Sequence, residues 1–217
     1  MRIPFIHQFK IAALAGVVAS MLFAVLAGCG GDPSADKRLI VVSDSRTSIV
    51  NTRLVFGYDA AQIPAGTAWM AAQLLESSAS GLATGDVTLI ASAQREVLTV
   101  DITCSKAALT RTASSVAELL NHPTLDDSNL GHLQRNQFAR LDALRHDPDW
   151  LARSVFWETI YQGTDYALPP IGTDSTISLI DAEDVAAFHQ KFITADNFHL
   201  GISGPDNRAS DDQKQRQ

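Results

Sequence analysis

The chain has 217 residues, enough for one ordinary globular domain once a targeting segment is subtracted. Apolar residues make up 46% and charged residues 19%, with 13 Gly and 8 Pro, a composition that excludes bulk disorder and fibrous repeats. The net charge is −7, and Arg2 and Lys10 are the only charged residues before Cys29, so the remainder is more acidic still. An acidic chain without a basic cluster excludes nucleic acid as the main partner.

Residues 11–28 run without a charge behind that basic start and end in Leu26-Ala27-Gly28-Cys29. A basic segment, an apolar run and small residues before a cysteine resemble a bacterial lipoprotein signal, with Cys29 as the lipid attachment residue. The competing reading is a plain transmembrane anchor, because eighteen apolar residues sit at the lower edge of what spans a bilayer. Residues 1–28 are therefore expected to be a signal peptide and 29–37 a flexible tether, with Gly30-Gly31-Asp32-Pro33-Ser34 as its core. By resemblance to enteric lipoproteins, Gly30 after the cysteine implies sorting to the outer membrane, facing the periplasm. The other cysteine, Cys104, then has no disulfide partner. Alternation of Leu98, Val100, Ile102 and Cys104 with Thr99, Asp101 and Thr103 puts it on the inward face of a strand, as an inert thiol.

Arg38 to Val42 and Ile49 to Tyr58 read as two strands around the polar Ser43-Asp44-Ser45-Arg46 turn, and suggest a hairpin. After Pro64 and Gly66 a helix is expected from Thr67 to Glu76, stopped by Ser77-Ser78-Ala79-Ser80-Gly81. Val87 to Ala93 and Glu96 to Cys104 read as strands joined tightly around Gln94-Arg95. The period then turns helical: Leu109, Ala113, Val116 and Leu120 share one face, and Leu130, Leu133, Gln137, Leu141 and Leu144 another. Asp147-Pro148 supplies a cap and a first-turn proline for a third helix through Leu151, Val155 and Ile160. A loop with Pro169, Pro170 and Gly172 follows, then a capping box at Asp181-Ala182-Glu183-Asp184 opening a helix with Val185, Phe188 and Phe192. Asn197 to Gly204 closes as a strand, and 205–217 read as a polar tail. This order predicts an α+β domain over 38–204, an antiparallel sheet with helices packed on one face.

Three stretches resemble the insulinase/pitrilysin metallopeptidase family, whose domain fold is shared with the mitochondrial processing peptidase. They are Phe56-Gly57-Tyr58-Asp59 with Pro64-Ala65-Gly66-Thr67-Ala68, Phe156 through Gly172-Thr173, and Ile180 through Val185 with Phe188, Asn197 and Gly204. Active members carry His-x-x-Glu-His on the first long helix, where ligands at i and i+4 reach one zinc and the Glu at i+3 polarises its water. Carried over from Gly66-Thr67-Ala68, the resemblance puts Trp69 and Gln73 at the histidine positions and Ala72 at the glutamate, a set unable to bind zinc. No histidine stands between His7 and His122, so no shift of the alignment restores the motif. The third ligand would fall near Asp142-Ala143. His122, His132, His146, His189 and His199 show no i, i+3 or i, i+4 pairing, and His146 with Asp147 and Asp149 reads as loop and cap residues ahead of a metal cluster. Trp69 reads as a core aromatic first and a peptide contact second.

The resemblance thus implies a catalytically empty, degenerate single-domain member with no cofactor, held in the bacterial envelope through Cys29. It implies a partner as well: an active subunit of the same family, a second copy, or a peptide, met around the Trp69 helix and the Tyr166 to Gly172 loop. Two alternatives stand beside it: a component of a zinc endopeptidase whose active site another chain supplies, and an envelope lipoprotein with a structural role.

Overall fold

The computed structural model describes residues 38–81, 85–121, 123 and 127–205. Cys29, the residues around it, His122 and the tail from 206 lie outside the described residues. Within them the strands are β1 (Leu39–Ser43), β2 (Ile49–Gly57), β3 (Val87–Ala93), β4 (Val97–Ser105) and β5 (Phe198–Gly204). The helices are α1 (Thr67–Ser78), α2 (Leu109–Asn121), α3 (Asp127–Arg145), α4 (Pro148–Ile160), α5 (Asp174–Leu179) and α6 (Ala182–Phe192). The architecture is α+β, as expected.

The strands form one sheet in the order β1-β5-β2-β4-β3. All its pairings are antiparallel except β1 with β5, which is parallel. The hairpin expected from β1 and β2 is therefore not formed: β5 lies between them. Its side chains explain the place, since Phe198, Leu200 and Ile202 are all buried, whereas Ile40 and Val42 of β1 stay exposed. A strand with a strongly buried face suits the interior of a sheet, and a short, poorly covered one suits its edge.

Period-two alternation sends Val50, Thr52, Leu54 and Phe56 of β2 and Leu98, Val100, Ile102 and Cys104 of β4 to one face. The helices cover that face. Helix α1 packs on β3, β4, α3 and α6, and brings Met70, Leu74 and Leu75 into the core with Val185 and Phe188. Cys104 is buried as its alternation predicts, and burial pushes its thiol pKa up, keeping it protonated and unreactive.

Two caps seen in the sequence are made. Asp147 accepts from the amides of Asp149 and Trp150 at the start of α4, and Asp181 and Asp184 form the reciprocal box of α6. Helix α5 falls in what reads as loop; its start is boxed by Thr173 and Thr176, a pair of β-branched residues that gives little helical signal. At the end of α6, Asn197 donates to the carbonyls of Gly57 and Phe192, both at 2.7 Å, and ties that helix to the sheet.

Candidate functional site

Helix α1 carries the positions that the family resemblance marks for metal. Trp69 and Gln73 lie one turn apart on its least buried side, and Ala72 is 1% exposed beneath them. Trp69 is half-buried against the core, in keeping with its first reading. The Gln73 amide reaches the Glu76 carboxylate at 3.5 Å. An indole and a methyl offer no ligand atom, and a carboxamide is a poor one for zinc.

Among the described residues no group of three His, Cys, Asp or Glu side chains comes together to hold a metal ion. His132 meets Arg135, His146 meets the Asp142 carbonyl, and Asp147 spends its carboxylate on capping α4. His146 and Asp147 thus serve local structure, and Asp149 joins them through its backbone amide. His189 is different. Its Nε2 is buried without a partner, and burial lowers its pKa to about 4 against a smaller opposing effect of a hydrogen bond to the Leu120 backbone.

What holds the site region together is a junction of two loops. Gly66, at φ 102°, precedes α1, and Gly172, at φ 86°, precedes α5. A Cβ on Gly172 would stand 2.7 Å from the Ala65 carbonyl, and one on Gly66 would stand 2.7 Å from Gln137 Nε2. Only glycine satisfies both the positive φ and the close approach. Gln137, fully buried on α3, donates to the carbonyls of Gly66 at 3.1 Å and Ile171 at 2.6 Å, and Gln134 reaches those of Ile177 and Ile180. The signal for Gln137 was a lone polar residue inside an apolar helical stripe. Its amide satisfies the Ile171 carbonyl and adds a second donor to that of Gly66, which already accepts from the Met70 amide.

A second clamp comes from the β3–β4 turn. Arg95 donates to the carbonyls of Tyr166 and Leu168, and its guanidinium lies 4.2 Å from the centroid of the Trp157 ring. Tyr166 donates to Glu96 at 2.8 Å. Tyr58 donates to the Gln94 carbonyl, and burial raises its pKa so that it stays a donor. Between the clamps lies a cleft of about 230 Å³, lined by Tyr58, Pro64, Arg95, Asp165, Pro169 and Pro170. It holds one cationic group, already turned to two carbonyls and a ring, beside apolar walls. Such a cleft can grip a short peptide segment, with Arg95 and Asp165 as its charged groups.

The Tyr166 to Gly172 loop therefore does lie beside the start of α1, but the large exposed apolar residues are elsewhere. Leu151, Val155, Phe156 and Ile160 of α4 are all exposed, and the sequence stripe through Leu151, Val155 and Ile160 faces solvent.

No family model matches the sequence, and no curated protein matches it. Solved structures do. The chain is similar to the peptidase M16 inactive domain from Pseudomonas fluorescens, with TM-score 0.66 and 18% identity over 81% of this chain and 46% of that one. It is similar to the first half of the periplasmic protease PqqL from Escherichia coli, with TM-score 0.66 and 13% identity over 83% and 43%. A chain of complex III from Candida albicans gives TM-score 0.63 and 18% identity over 80% and 42%. Peptidase M16 is the insulinase/pitrilysin family, so the fold is the one that the sequence resemblance implies. The chain spans less than half the length of these matched structures.

Proposed function

We propose that this chain is a non-catalytic, insulinase-like domain, anchored through a lipid on Cys29 in the bacterial cell envelope, that binds a partner subunit or a peptide. The observation that carries the reading is the content of α1. In a fold shared with M16 peptidases, the helix that would hold zinc presents Trp69, Ala72 and Gln73. The Pseudomonas domain, itself described as inactive, supports the non-catalytic part, and the PqqL half and the complex III chain support the partner. One neighbour is half of a protease and another belongs to a multi-subunit complex, so the partner of first choice is a chain of the same fold, either an M16-type subunit or a second copy. The likeness to half of a periplasmic protease favours a second reading, in which this chain is a component of a zinc endopeptidase whose active site another chain supplies.

Copurification of the full chain from detergent-solubilised membranes tests the proposal. An M16-type subunit, a second copy or a bound peptide recovered in stoichiometric amount is the expected result. A bare monomer under crosslinking conditions contradicts it. Cys29→Ser is expected to leave an unprocessed precursor without fatty-acid label, and equal labelling of the variant contradicts the anchor.

A further inference from the structure

Helix α4 is apolar around most of its circumference, through Trp150, Leu151, Ala152, Val155, Phe156, Trp157 and Ile160. A helix of that kind is buried in a protein core or in lipid. Yet no residue of α4 is buried. Trp150 leans on the core, and Trp157 lies against Arg95 and stacks on Tyr161 with centroids 5.0 Å apart. Leu151, Val155, Phe156 and Ile160 are left 42 to 59% exposed, paired one turn apart as Leu151 with Val155 and Phe156 with Ile160.

The topology says what lies near this face. The register aligns Leu39 with Leu200 near the start of β5, Phe198 with Phe56, and Phe56 with Leu98, so β1 begins at the end of the sheet that carries the β3–β4 turn. Arg95 of that turn touches Trp157. The chain's entry into the domain and the C-terminal half of α4 therefore share one end of the sheet, whose five strands span about 19 Å at the usual spacing. The ten peptide steps from Cys29 to Leu39 reach at most about 35 Å. A lipid on Cys29 would hold this end of the sheet within that distance of a bilayer.

We propose that α4 is a membrane-surface contact, with Leu151, Val155, Phe156 and Ile160 entering the boundary between headgroups and acyl chains and Trp157 and Tyr161 lying at headgroup depth. The inference rests on the reading of Cys29 as acylated. Helix α4 carries Asp149, Arg153 and Glu158, so attraction to anionic lipid is not the driving force and the contact forms on neutral bilayers. Burial of four side chains is weak alone, and tethering makes it effective by raising the local concentration of surface.

The test uses the full chain purified with its anchor and reconstituted into phosphatidylcholine vesicles with brominated acyl chains. Flotation reads the anchor and tryptophan quenching reads α4. The expected result is a floating protein with quenched emission, a quenching largely lost in Trp157→Phe and in the double variant Val155→Asp with Phe156→Asp, both of which still float and keep their circular dichroism. A floating but unquenched wild type, or a double variant quenched like the wild type, overturns the proposal. Failure to float counts against acylation alone; coupling Cys29 to a maleimide lipid then restores the tether, and the quenching still decides. A dimer by light scattering that the double variant splits assigns the face to a second copy and overturns the membrane contact.

Discussion

Two tryptophan-bearing helices of this domain occupy opposite environments. Helix α1 buries Met70, Ala71, Ala72, Leu74 and Leu75 between the sheet and α6, while α4, also largely apolar, has no buried residue. In α1 the apolar side chains enter the core, while Trp69 and Gln73 keep to its less buried side. In α4 Leu151, Val155, Phe156 and Ile160 stay exposed. The contrast teaches that apolar content alone does not place a helix of this fold in the core: its position over the sheet does.

The sharpest way to test that contrast is to truncate one side chain in each helix. Leu75→Ala is expected to lower unfolding free energy by about 2–5 kcal/mol, because the site is fully packed and leaves a cavity. Urea denaturation of the chain measures it. A cost as small as that of a surface change would mean that α1 is not the core helix described here.

The next effect is electrostatic and confined to the buried side. His189, on α6, has a folded pKa of about 4, below the ordinary 6.5, with desolvation as the main cause. Between those values the unfolded chain binds the proton and the folded one does not, so stability falls as pH falls from 6.5 through 4 and is unaffected above 7. The loss is at most about 3 kcal/mol. His189→Leu is expected to flatten this part of the stability profile, and an unchanged acid slope in the variant would show that other groups produce it.

Gly66→Ala comes next, at about 1–3 kcal/mol, since it combines φ 102° with a Cβ only 2.7 Å from Gln137 Nε2. Thermal melting is the readout, and a neutral result would mean that the loop junction yields. The smallest effect is expected on α4. Val155→Ser should change stability by less than about 0.5 kcal/mol while reducing the vesicle quenching expected from the proposed membrane contact. A large destabilisation there would place α4 in the core after all.

Much of the fold was readable because local rules agreed with the tertiary outcome. Val87 to Ala93 has the bounds of β3, Asp147-Pro148 starts α4, and Asp181 with Asp184 boxes α6. The β1–β2 hairpin misled because its turn is polar and short, and no local signal shows that a strand arriving 140 residues later is more hydrophobic on one face and takes the place between them. Helix α5 was hidden by its Thr and Ser content, which reads equally well as loop. At the candidate site, Trp69, Ala72 and Gln73 were marked only by the family resemblance carried over from Gly66-Thr67-Ala68; spacing within the helix would not have singled them out. The Gln137 clamp was visible as a polar residue in an apolar stripe, but its partners, Gly66 and Ile171, lie on other segments. Exposure of Leu151, Val155 and Ile160 was not legible at all, because a helical period tells which residues share a face and not what that face meets.

The domain has the fold of M16 peptidase structures, and the proposal that it does so without their metal chemistry is open to direct measurement. Metal analysis of the purified full chain, combined with a peptide-cleavage assay, addresses it most directly. The account predicts zinc well below one per chain and no cleavage. It predicts the same after Trp69→His, Ala72→Glu and Gln73→His are combined, because the residues that would complete and orient the site are missing too. One zinc per chain in the unaltered protein, removed by chelator together with peptide cleavage, would contradict it.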